Sequence, residues 1–267
     1  MQSSYVQRDQ PDGVPPLSLT GERTLPDVPE ENYWYRRHLV VYEWIAERVR
    51  GERVIDMASG EGYGSDVLAR TAASVVGVEA NPEAFEHARL RYAEGPHGAP
   101  AETQSENLRF ERALVEQFAE PADAVVFLQT IEHLQDPDAT LEHFRSLVGE
   151  EGVVYVSTPN VLTLAPKGAE RSDNPWHVHE YRPEEFEALC GRHFARVELH
   201  GLFHARKLRA HELALRLGWD RVHAALRITG PFYRWFTPAL DASDFAVRPG
   251  SAASLHRALD LLAVCRP

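Results

Sequence analysis

The segment VIDMASGEGYGSDVLA, residues 54–69, passes from an apolar run into closely spaced glycines and then into a helical pattern. This order is typical of the first strand–turn–helix unit of a doubly wound α/β sheet. Such a turn lies at the carboxyl edge of the sheet, where backbone N–H groups face a ligand. A dinucleotide turn requires G-x-G-x-x-G, but Ser65 occupies the position of its last glycine. The segment therefore indicates a cofactor site without naming the cofactor.

The remaining chain alternates strand and helix patterns. After the turn we predict strands at 74–80, 108–114, 123–129, 152–160 and 195–203 and a last one within 254–267, with helices at 31–50, 81–94, 137–148, 183–194 and 205–236. Asn81 and Pro82 give the second of these helices an N-cap and a first-turn proline. The pattern predicts an α/β, Rossmann-like, seven-stranded, mostly parallel sheet with helices on both faces and a helical insertion between the last two strands.

Chain length and composition set the organisation. The 267 residues suit one large domain, which we divide into a flexible segment 1–25, a core with an N-terminal lid helix 26–203, a helical cap 204–250 and a returning segment 251–267. The net charge of −12 argues against a nucleic-acid partner. No apolar run is long enough for a membrane span, and no signal-peptide pattern is present. With only Cys190 and Cys265, both expected as buried thiols, we expect a cytoplasmic protein.

A second acid extends the site. Glu79 ends the strand that follows the turn, where a carboxylate would accept hydrogen bonds from both hydroxyls of a ribose. Repulsion between like charges disfavours a phosphorylated ribose there. NAD and S-adenosylmethionine both present a free ribose, so Glu79 alone leaves both cofactors open.

Segments further along resemble one superfamily. DAVVFLQTIEHLQDP at 123–137 and GVVYVSTPN at 152–160 resemble the fourth and fifth strand segments of class I S-adenosylmethionine-dependent methyltransferases, including those that methylate hydroxyls of quinones and sugars. The turn also fits their D-x-G-x-G-x-G pattern, except that an alanine replaces the first glycine. The resemblance implies S-adenosylmethionine as the cofactor. The cofactor-binding residues it implies around the turn and the ribose are Asp56, Ala58, Gly60, Gly62, Glu79 and Ala80.

The same resemblance implies roles beyond the turn. Gln129 would meet the methionine moiety, while Glu132 and His133 would lie at the mouth of the methyl-transfer site. Many relatives carry an acid after the third strand, but here Ala113 stands at that position and Leu114 follows. Adenine recognition at Leu114 would then depend on backbone N–H groups.

Four further segments narrow the resemblance. They are similar to an actinobacterial methyltransferase group associated with methylated polysaccharides, including methylglucose-containing ones. The four segments are the N-terminal stretch 19–45, STPN with NPWHVHEY, GLFHARKLR and the ending LDLLAVCRP. That similarity implies a sugar hydroxyl, in a small-molecule or oligosaccharide acceptor. The assembly is left open, with a homodimer as one option.

Methyl transfer to an alcohol requires a base for the hydroxyl proton, and histidine is the usual one. His133 and His177 are the candidates, with Glu132 beside them. His179 would face the opposite way on an extended loop, and Trp176 and Tyr181 could stack on a sugar; we assign these three to substrate binding. The His-x-His pattern with an acid is weak evidence for a metal, and we expect none.

The N-terminal helix carries YWYRRH at 33–38. Tyr33 could face the cationic sulfonium, and Arg37 could bind the methionine carboxylate, with Arg36 as its equal by chemistry. Adjacent helical residues diverge by about 100°, so only one arginine would point inward. The alternative is a helix packed on the sheet with surface arginines.

The sequence thus predicts an S-adenosylmethionine-dependent O-methyltransferase that acts on a sugar or similar small acceptor by in-line transfer with a histidine base. Two alternatives remain: an NAD-dependent oxidoreductase, which shares the strand–glycine–strand–acid layout, and a non-catalytic S-adenosylmethionine-binding protein, because the adenine acid is missing.

Overall fold

The computed structural model describes residues 11–19, 23–94, 106–166 and 168–267. Its centre is one eight-stranded sheet with the order β3-β2-β1-β4-β5-β8-β6-β7. The strands are β1 Arg53–Met57, β2 Ser74–Val78, β3 Leu108–Glu111, β4 Ala122–Leu128, β5 Val148–Pro159, β6 Arg196–His204, β7 Phe245–Pro249 and β8 Asp260–Arg266. Strands β1 to β5 pair in parallel, whereas β8 and β7 are antiparallel to their neighbours.

Helices cover both faces of the sheet. They are α1 Asn32–Ala46, α2 Tyr63–Ala69, α3 Pro82–Ala88, α4 Pro137–Leu147, α5 Val161–Leu164, α6 Pro183–Gly191, α7 Arg206–Arg216, α8 Trp219–Ala225, α9 Thr229–Phe236 and α10 Ala252–Leu255. The predicted cap of α3 is confirmed, because the Asn81 side chain accepts from the backbone N–H of Glu83 and Ala84. None of the described helices is long and apolar enough to cross a bilayer.

Two hydrophobic cores follow from the strand alternation. Val54 packs with α1 and α2 in one core, while its neighbour Ile55 packs with α4 and α6 in the other. Buried residues of β4 divide in the same way, as with Ala124 and Val125. Covering both faces makes the central strands continuously apolar, and this places the polar residues at their carboxyl ends.

The predicted strand count is wrong by one. The sheet has eight strands, because β7 forms an additional edge strand that pairs with β6. Helices α7 to α9 therefore lie between β6 and β7, rather than between the last two strands. Strand β7 spans only five residues, of which one is buried, and so short a half-exposed edge has no clear alternation.

The described part of the N-terminal stretch 1–25 contains buried residues. Leu17 and Leu25 are buried and pack with Val28 in a small cluster of their own. The carbonyl of Pro15 accepts a hydrogen bond from His87 Nδ1 of α3 at 2.6 Å. Residues 1–10 and 20–22 of the predicted stretch lie outside the described residues. The segment just before α1 is thus held against the first two βα units.

Candidate cofactor and acceptor site

The glycine turn after β1 uses left-handed backbone conformations. Gly60 has φ +60° and Gly62 has φ +99°, where a β-carbon is disfavoured. A Cβ at Gly62 would lie 2.7 Å from the Cβ of Ala88, whereas one at Gly60 would meet nothing within 4 Å. Gly62 is thus required by packing against α3, while Gly60 leaves space at the edge of the sheet. Ala58 has φ +57°, a conformation that costs a non-glycine residue about 1–2 kcal/mol.

Asp56 supports the turn from below. Its carboxylate is fully buried and accepts hydrogen bonds from Ser65 Oγ at 2.7 Å and from the Tyr42 hydroxyl at 3.2 Å. Desolvation by burial raises the pKa of Asp56 to about 7. Ser65, which replaces the last glycine of the dinucleotide pattern, therefore links α2 to β1 through its hydrogen bond to Asp56. A Cβ at Gly64 would lie 2.2 Å from the Tyr42 ring, so this glycine admits the tyrosine.

Glu79 lies beside the turn, as the sequence predicts. Its Oε2 accepts from the Gly60 N–H and its Oε1 from the Asn81 N–H, both at 2.8 Å. Each oxygen keeps one lone pair for a ligand, so the carboxylate is oriented to accept from two hydroxyls. Ala80 is exposed beside it. Leu114 is 50% exposed and lines neither of the two cavities that open at the carboxyl edge of the sheet.

Two adjoining cavities open at the carboxyl ends of β1, β4 and β5. The turn cavity, of about 90 Å³, is bordered by Ala58 to Glu61, Tyr42 and Tyr63. The histidine cavity, of about 440 Å³, is bordered by Trp34, Glu132, His133, Asn174 and His177. Arg23, Thr24, His38 and Gln129 line both. Because these four residues line both cavities, the cavities adjoin; we call the two together the cleft, with the turn at one end and the histidines at the other.

Gln129 is fixed at the junction of the two cavities. Its backbone has φ +53°, and its N–H donates to the carbonyl of Ser157 at 3.0 Å. Its side-chain Nε2 donates to Ser157 Oγ at 2.9 Å. Strand β5 thus holds the end of β4 in a strained conformation, a feature that clusters at functional sites.

The histidine end of the cleft contains an ordered cluster. Nδ1–H of His133 donates to the Trp176 carbonyl at 3.0 Å, and Nδ1–H of His177 donates to the Glu180 carboxylate at 2.7 Å. These contacts fix both tautomers, so that each Nε2 carries the lone pair. The Nε2 of His177 accepts from the Asn174 amide at 2.9 Å.

Glu132 forms the floor of this cluster. Thr158 Oγ1 donates to its carboxyl group at 3.1 Å, and desolvation by burial raises the pKa of Glu132 to about 8. Ligand atoms of Glu132, His133 and His177 all lie within 4.8 Å of one another. Such a donor set can serve as a proton acceptor with a polar environment, or it can hold a divalent cation.

The raised pKa of Glu132 predicts a pH-dependent stability. Its folded pKa of about 8 exceeds the value of 4.5 for the free side chain, so the folded protein keeps a proton that the unfolded chain has lost. The stability linked to this proton is fully present below about pH 4.5 and is lost as the pH rises towards 8. We expect Glu132→Gln to gain ~2–4 kcal/mol of unfolding free energy over the native protein between pH 5 and pH 8. Urea unfolding at both pH values measures this, with exposed Glu142→Gln as the control; a pH-independent difference would contradict it.

Two residues expected at the cofactor lie elsewhere. Arg37 is buried and bound to the Asp260 carboxylate through Nε at 2.7 Å and Nη2 at 2.5 Å. The Tyr33 hydroxyl is hydrogen-bonded to Nε2 of His204 at 2.8 Å, and its ring packs on Phe245. Arg37 points towards β8 because the buried Asp260 needs a cationic partner, while Tyr33 points towards β6 and β7. The expectation that one of the two arginines faces the ligand is wrong for Arg37.

The loop 172–181 divides the other predicted residues. His177 is buried in the cluster, and Trp176 is 57% exposed at its edge. Tyr181 is a core residue that packs against Phe186, and His179 is exposed and 4.0 Å from Glu185. The assignment of Tyr181 to the substrate is corrected by its burial. Of the His-x-His pair only His177 faces the cleft, as their alternation predicts.

A stripe along α1, together with Glu31 just before it, lines the cleft and was not predicted from the sequence. Glu31, Trp34, His38 and Tyr42, spaced three or four residues apart, border one or both cavities. Desolvation lowers the pKa of His38 to about 4, which leaves its imidazole neutral. The helical spacing of these residues was a signal that could have found them, since one face of a lid helix must point to the site.

The sheet order, the glycine turn with the acid that follows β2 and the cleft beyond β4 together define a class I methyltransferase fold. The chain belongs to the methyltransferase domain family, whose model matches residues 33–213. It is 34% identical over 256 residues to a "probable S-adenosylmethionine-dependent methyltransferase" of Mycobacterium tuberculosis, with 93% of this chain and 89% of the relative covered. These findings confirm the prediction of an S-adenosylmethionine-dependent methyltransferase at the level of the class.

Two more distant proteins share parts of the chain. A ubiquinone biosynthesis O-methyltransferase of Albidiferax ferrireducens is 32% identical over 164 residues, which cover 55% of this chain and 62% of that protein. The crystal structure of an S-adenosylmethionine-dependent methyltransferase from Thermotoga maritima superposes with a TM-score of 0.56 at 14% identity, covering 89% of this chain and 94% of that one. The latter likeness supports the fold alone.

Proposed function

We propose that the protein transfers the methyl group of S-adenosylmethionine to a hydroxyl oxygen of a sugar-like acceptor, with His133 as the proton acceptor. The observation that carries this proposal is the pair of adjoining cavities, one at the glycine turn and one at the His133–His177 cluster, which share four lining residues. We assign the cofactor to the turn end, because Gly60 leaves open space there and the Glu79 carboxylate is held beside the turn by the Gly60 N–H.

The residues of the chain have separable tasks. When bound, S-adenosylmethionine supplies an electrophilic methyl group on a sulfonium, whose sulfur is the leaving group. Glu79 orients the ribose, and Gln129 sits where the two cavities meet. The acceptor hydroxyl is held near His133, whose Nε2 takes the proton while the oxygen bonds to the methyl carbon. The neutral product ether and a protonated imidazole result, so charge is balanced.

His133 is the better base of the two histidines. The Nε2 of His177 already accepts from the Asn174 amide, and its Nδ1–H is bound to the Glu180 carboxylate. His177 is thus committed on both ring nitrogens and serves to position its neighbour, whose ring centroid is 5.0 Å away. Glu132, with its raised pKa, is protonated at neutral pH and adds no negative charge beside the base.

The lining of the histidine cavity supports a polyhydroxylated acceptor. Hydrogen-bonding groups of Thr24, Ser172 and Asn174 share this cavity with the indole of Trp34. A mixture of polar groups and a flat aromatic surface suits a sugar ring, which has hydroxyls at its rim and C–H groups on its faces. Transfer to oxygen also agrees with the activity named for the Albidiferax ferrireducens relative.

Product analysis tests the proposal. The enzyme is incubated with S-adenosylmethionine and sets of oligosaccharides, free sugars and small alcohols, and mass spectrometry detects one added methyl group. We expect an O-methylated sugar, with S-adenosylhomocysteine formed in equal amount. Methylation of an amine or a thiol with no oxygen acceptor turned over would refute the proposal. Cofactor binding without any turnover would instead support the non-catalytic alternative.

The NAD-dependent oxidoreductase is not favoured. Ser65 Oγ is engaged by Asp56 at the position where a dinucleotide turn requires its last glycine. The family and the mycobacterial relative both agree with S-adenosylmethionine.

A further inference from the structure

The segment 206–236 is a small helical unit with its own interior. The Phe232 ring stacks on His223 and Phe236 and lies beside His211, with ring centroids 5.3 to 6.0 Å apart. Leu208 is buried on the side towards the sheet. His211, Phe232 and Phe236 are partly buried where α7, α8 and α9 pack together, and the other faces of the three helices are turned to solvent.

Those outer faces are unusually apolar. Ten large hydrophobic side chains are exposed in the described part of the chain, and six of them fall in this unit. They are Leu213, Leu217, Val222, Leu226, Ile228 and Trp235. Leu217 is 81% exposed and Trp235 is 69% exposed. Ordinary proteins expose such side chains singly and scattered over the surface. Six of them grouped in one region indicate an interaction surface.

The same unit is basic in an acidic protein. Between residues 206 and 236 the chain has seven arginines or lysines and only two acids, although its net charge is −12. Five of the arginines are exposed and form no ion pair within the described residues: Arg209, Arg216, Arg221, Arg227 and Arg234. The unit therefore attracts anions while the rest of the protein repels them.

Apolar and basic residues share the same helix faces. On α7, Arg209 and Arg216 alternate with Leu213 and with Leu217 at the helix end, at the spacing i, i+4, i+7 and i+8 of one face. On α9, Trp235 is exposed, whereas Phe232 and Phe236 contribute to the interior. The exposed leucines and tryptophan thus lie next to arginines on the same surface of the helical unit.

We propose that this apolar and basic surface of α7 to α9 docks on an anionic lipid bilayer. Helices that lie in a membrane interface insert Leu and Trp at the headgroup boundary while Arg and Lys bind anionic lipids. Each basic residue near such a surface strengthens binding by about fivefold. The acidic remainder of the protein is repelled by the same lipids, and this orients the docking. The proposal does not depend on the identity of the acceptor.

A second copy of the chain fits this surface less well. Two copies paired through the same surface would place two excesses of positive charge against each other. The other exposed large hydrophobics are Trp34, Leu114, Trp176 and Val178, and three of these lie at the cleft or its loop. Within the described residues, a head-to-tail apolar contact would therefore have to use mainly the side chains at the cleft.

Vesicle flotation tests the proposal with the full chain. Vesicles of phosphatidylcholine with phosphatidylglycerol are compared with vesicles of phosphatidylcholine alone. We expect binding to the anionic vesicles that weakens with salt and a tenfold or greater loss in two variants. One removes apolar side chains (Leu217→Ser with Trp235→Ser), and the other removes charge (Arg209→Gln, Arg216→Gln and Arg234→Gln). Arg112→Gln with Arg145→Gln and Arg257→Gln, three exposed arginines elsewhere, is the matched control and should bind as the native protein does.

Circular dichroism and S-adenosylmethionine binding show that each variant is folded. Native protein that stays with neither vesicle type, or a control that loses as much binding as the charge variant, overturns the proposal. Sedimentation velocity separates the competing explanation. A dimer that dissociates in the apolar variant, without vesicle binding, would assign the surface to a second copy instead.

Discussion

Replacing His133 by alanine should lower kcat by about 10²- to 10⁴-fold, the usual contribution of a positioned proton acceptor. The KM for the acceptor and the Kd for S-adenosylmethionine should change little, because we assign His133 to proton transfer rather than to ligand binding. Steady-state kinetics with the acceptor found by mass spectrometry measure the split between kcat and KM. The fall of kcat at acidic pH should also disappear in the variant, since no imidazole remains to be protonated.

Two comparisons make this prediction specific. His256→Ala removes an exposed histidine that pairs with Glu184, and it should leave kcat unchanged. A metal role for the cluster is separated by chelation: EDTA should not lower the activity of the native enzyme if His133 acts as the base. Activity that is lost with EDTA and restored by Mn²⁺ would contradict the base assignment and would make Glu132, His133 and His177 metal ligands.

His177 is expected to act through position. Because both of its ring nitrogens are bound, by Glu180 and by Asn174, it cannot take a proton without giving up a contact. Its substitution should alter the geometry of the loop that carries the Trp176 carbonyl, and through it the orientation of His133. The contrast between the two histidines could not be read from the sequence, which shows only one histidine shortly after β4 and another in the loop between α5 and α6.

The parallel part of the fold was predictable because its signals are local. Strands β1, β2 and β4 are apolar runs buried on both faces, and each is followed by a turn or cap residue such as Gly60 or Asn81. Strand β7 and the position of α7 to α9 were not predictable in this way. This five-residue edge strand is stabilised by its pairing with β6. Such a tertiary contact is hardly visible in the local sequence pattern.

The turn end of the site was also more predictable than the lid. Glu79 lies where its register places it, because parallel strands bring their carboxyl ends to one edge. Arg37 was misjudged since nothing local reveals its partner, Asp260, which is 223 residues away in the sequence. A buried carboxylate on β8 attracts the guanidinium more strongly than a solvated ligand would, and His38 then faces the cleft in its place.

Replacing Glu79 by alanine should weaken S-adenosylmethionine binding by about 10²- to 10⁴-fold. Hydrogen bonds to a charged acceptor contribute about 1.5–3 kcal/mol each, and the ribose offers two hydroxyls to this carboxylate. Isothermal titration of S-adenosylmethionine gives the Kd directly. Glu83→Gln, which removes an exposed acid on the neighbouring helix α3, should bind the cofactor as the native protein does.

The ribose role must be distinguished from support of the turn, because Glu79 also accepts from the N–H groups of Gly60 and Asn81. S-Adenosylhomocysteine and its 2′-deoxy analogue separate the two in a thermodynamic cycle. If Glu79 binds the diol, the native protein discriminates against the deoxy analogue, and Glu79→Ala loses that discrimination along with its affinity. A variant that binds both ligands weakly yet keeps the full preference for the 2′-hydroxyl would show that Glu79 only shapes the turn. The diol would then be recognised by another group.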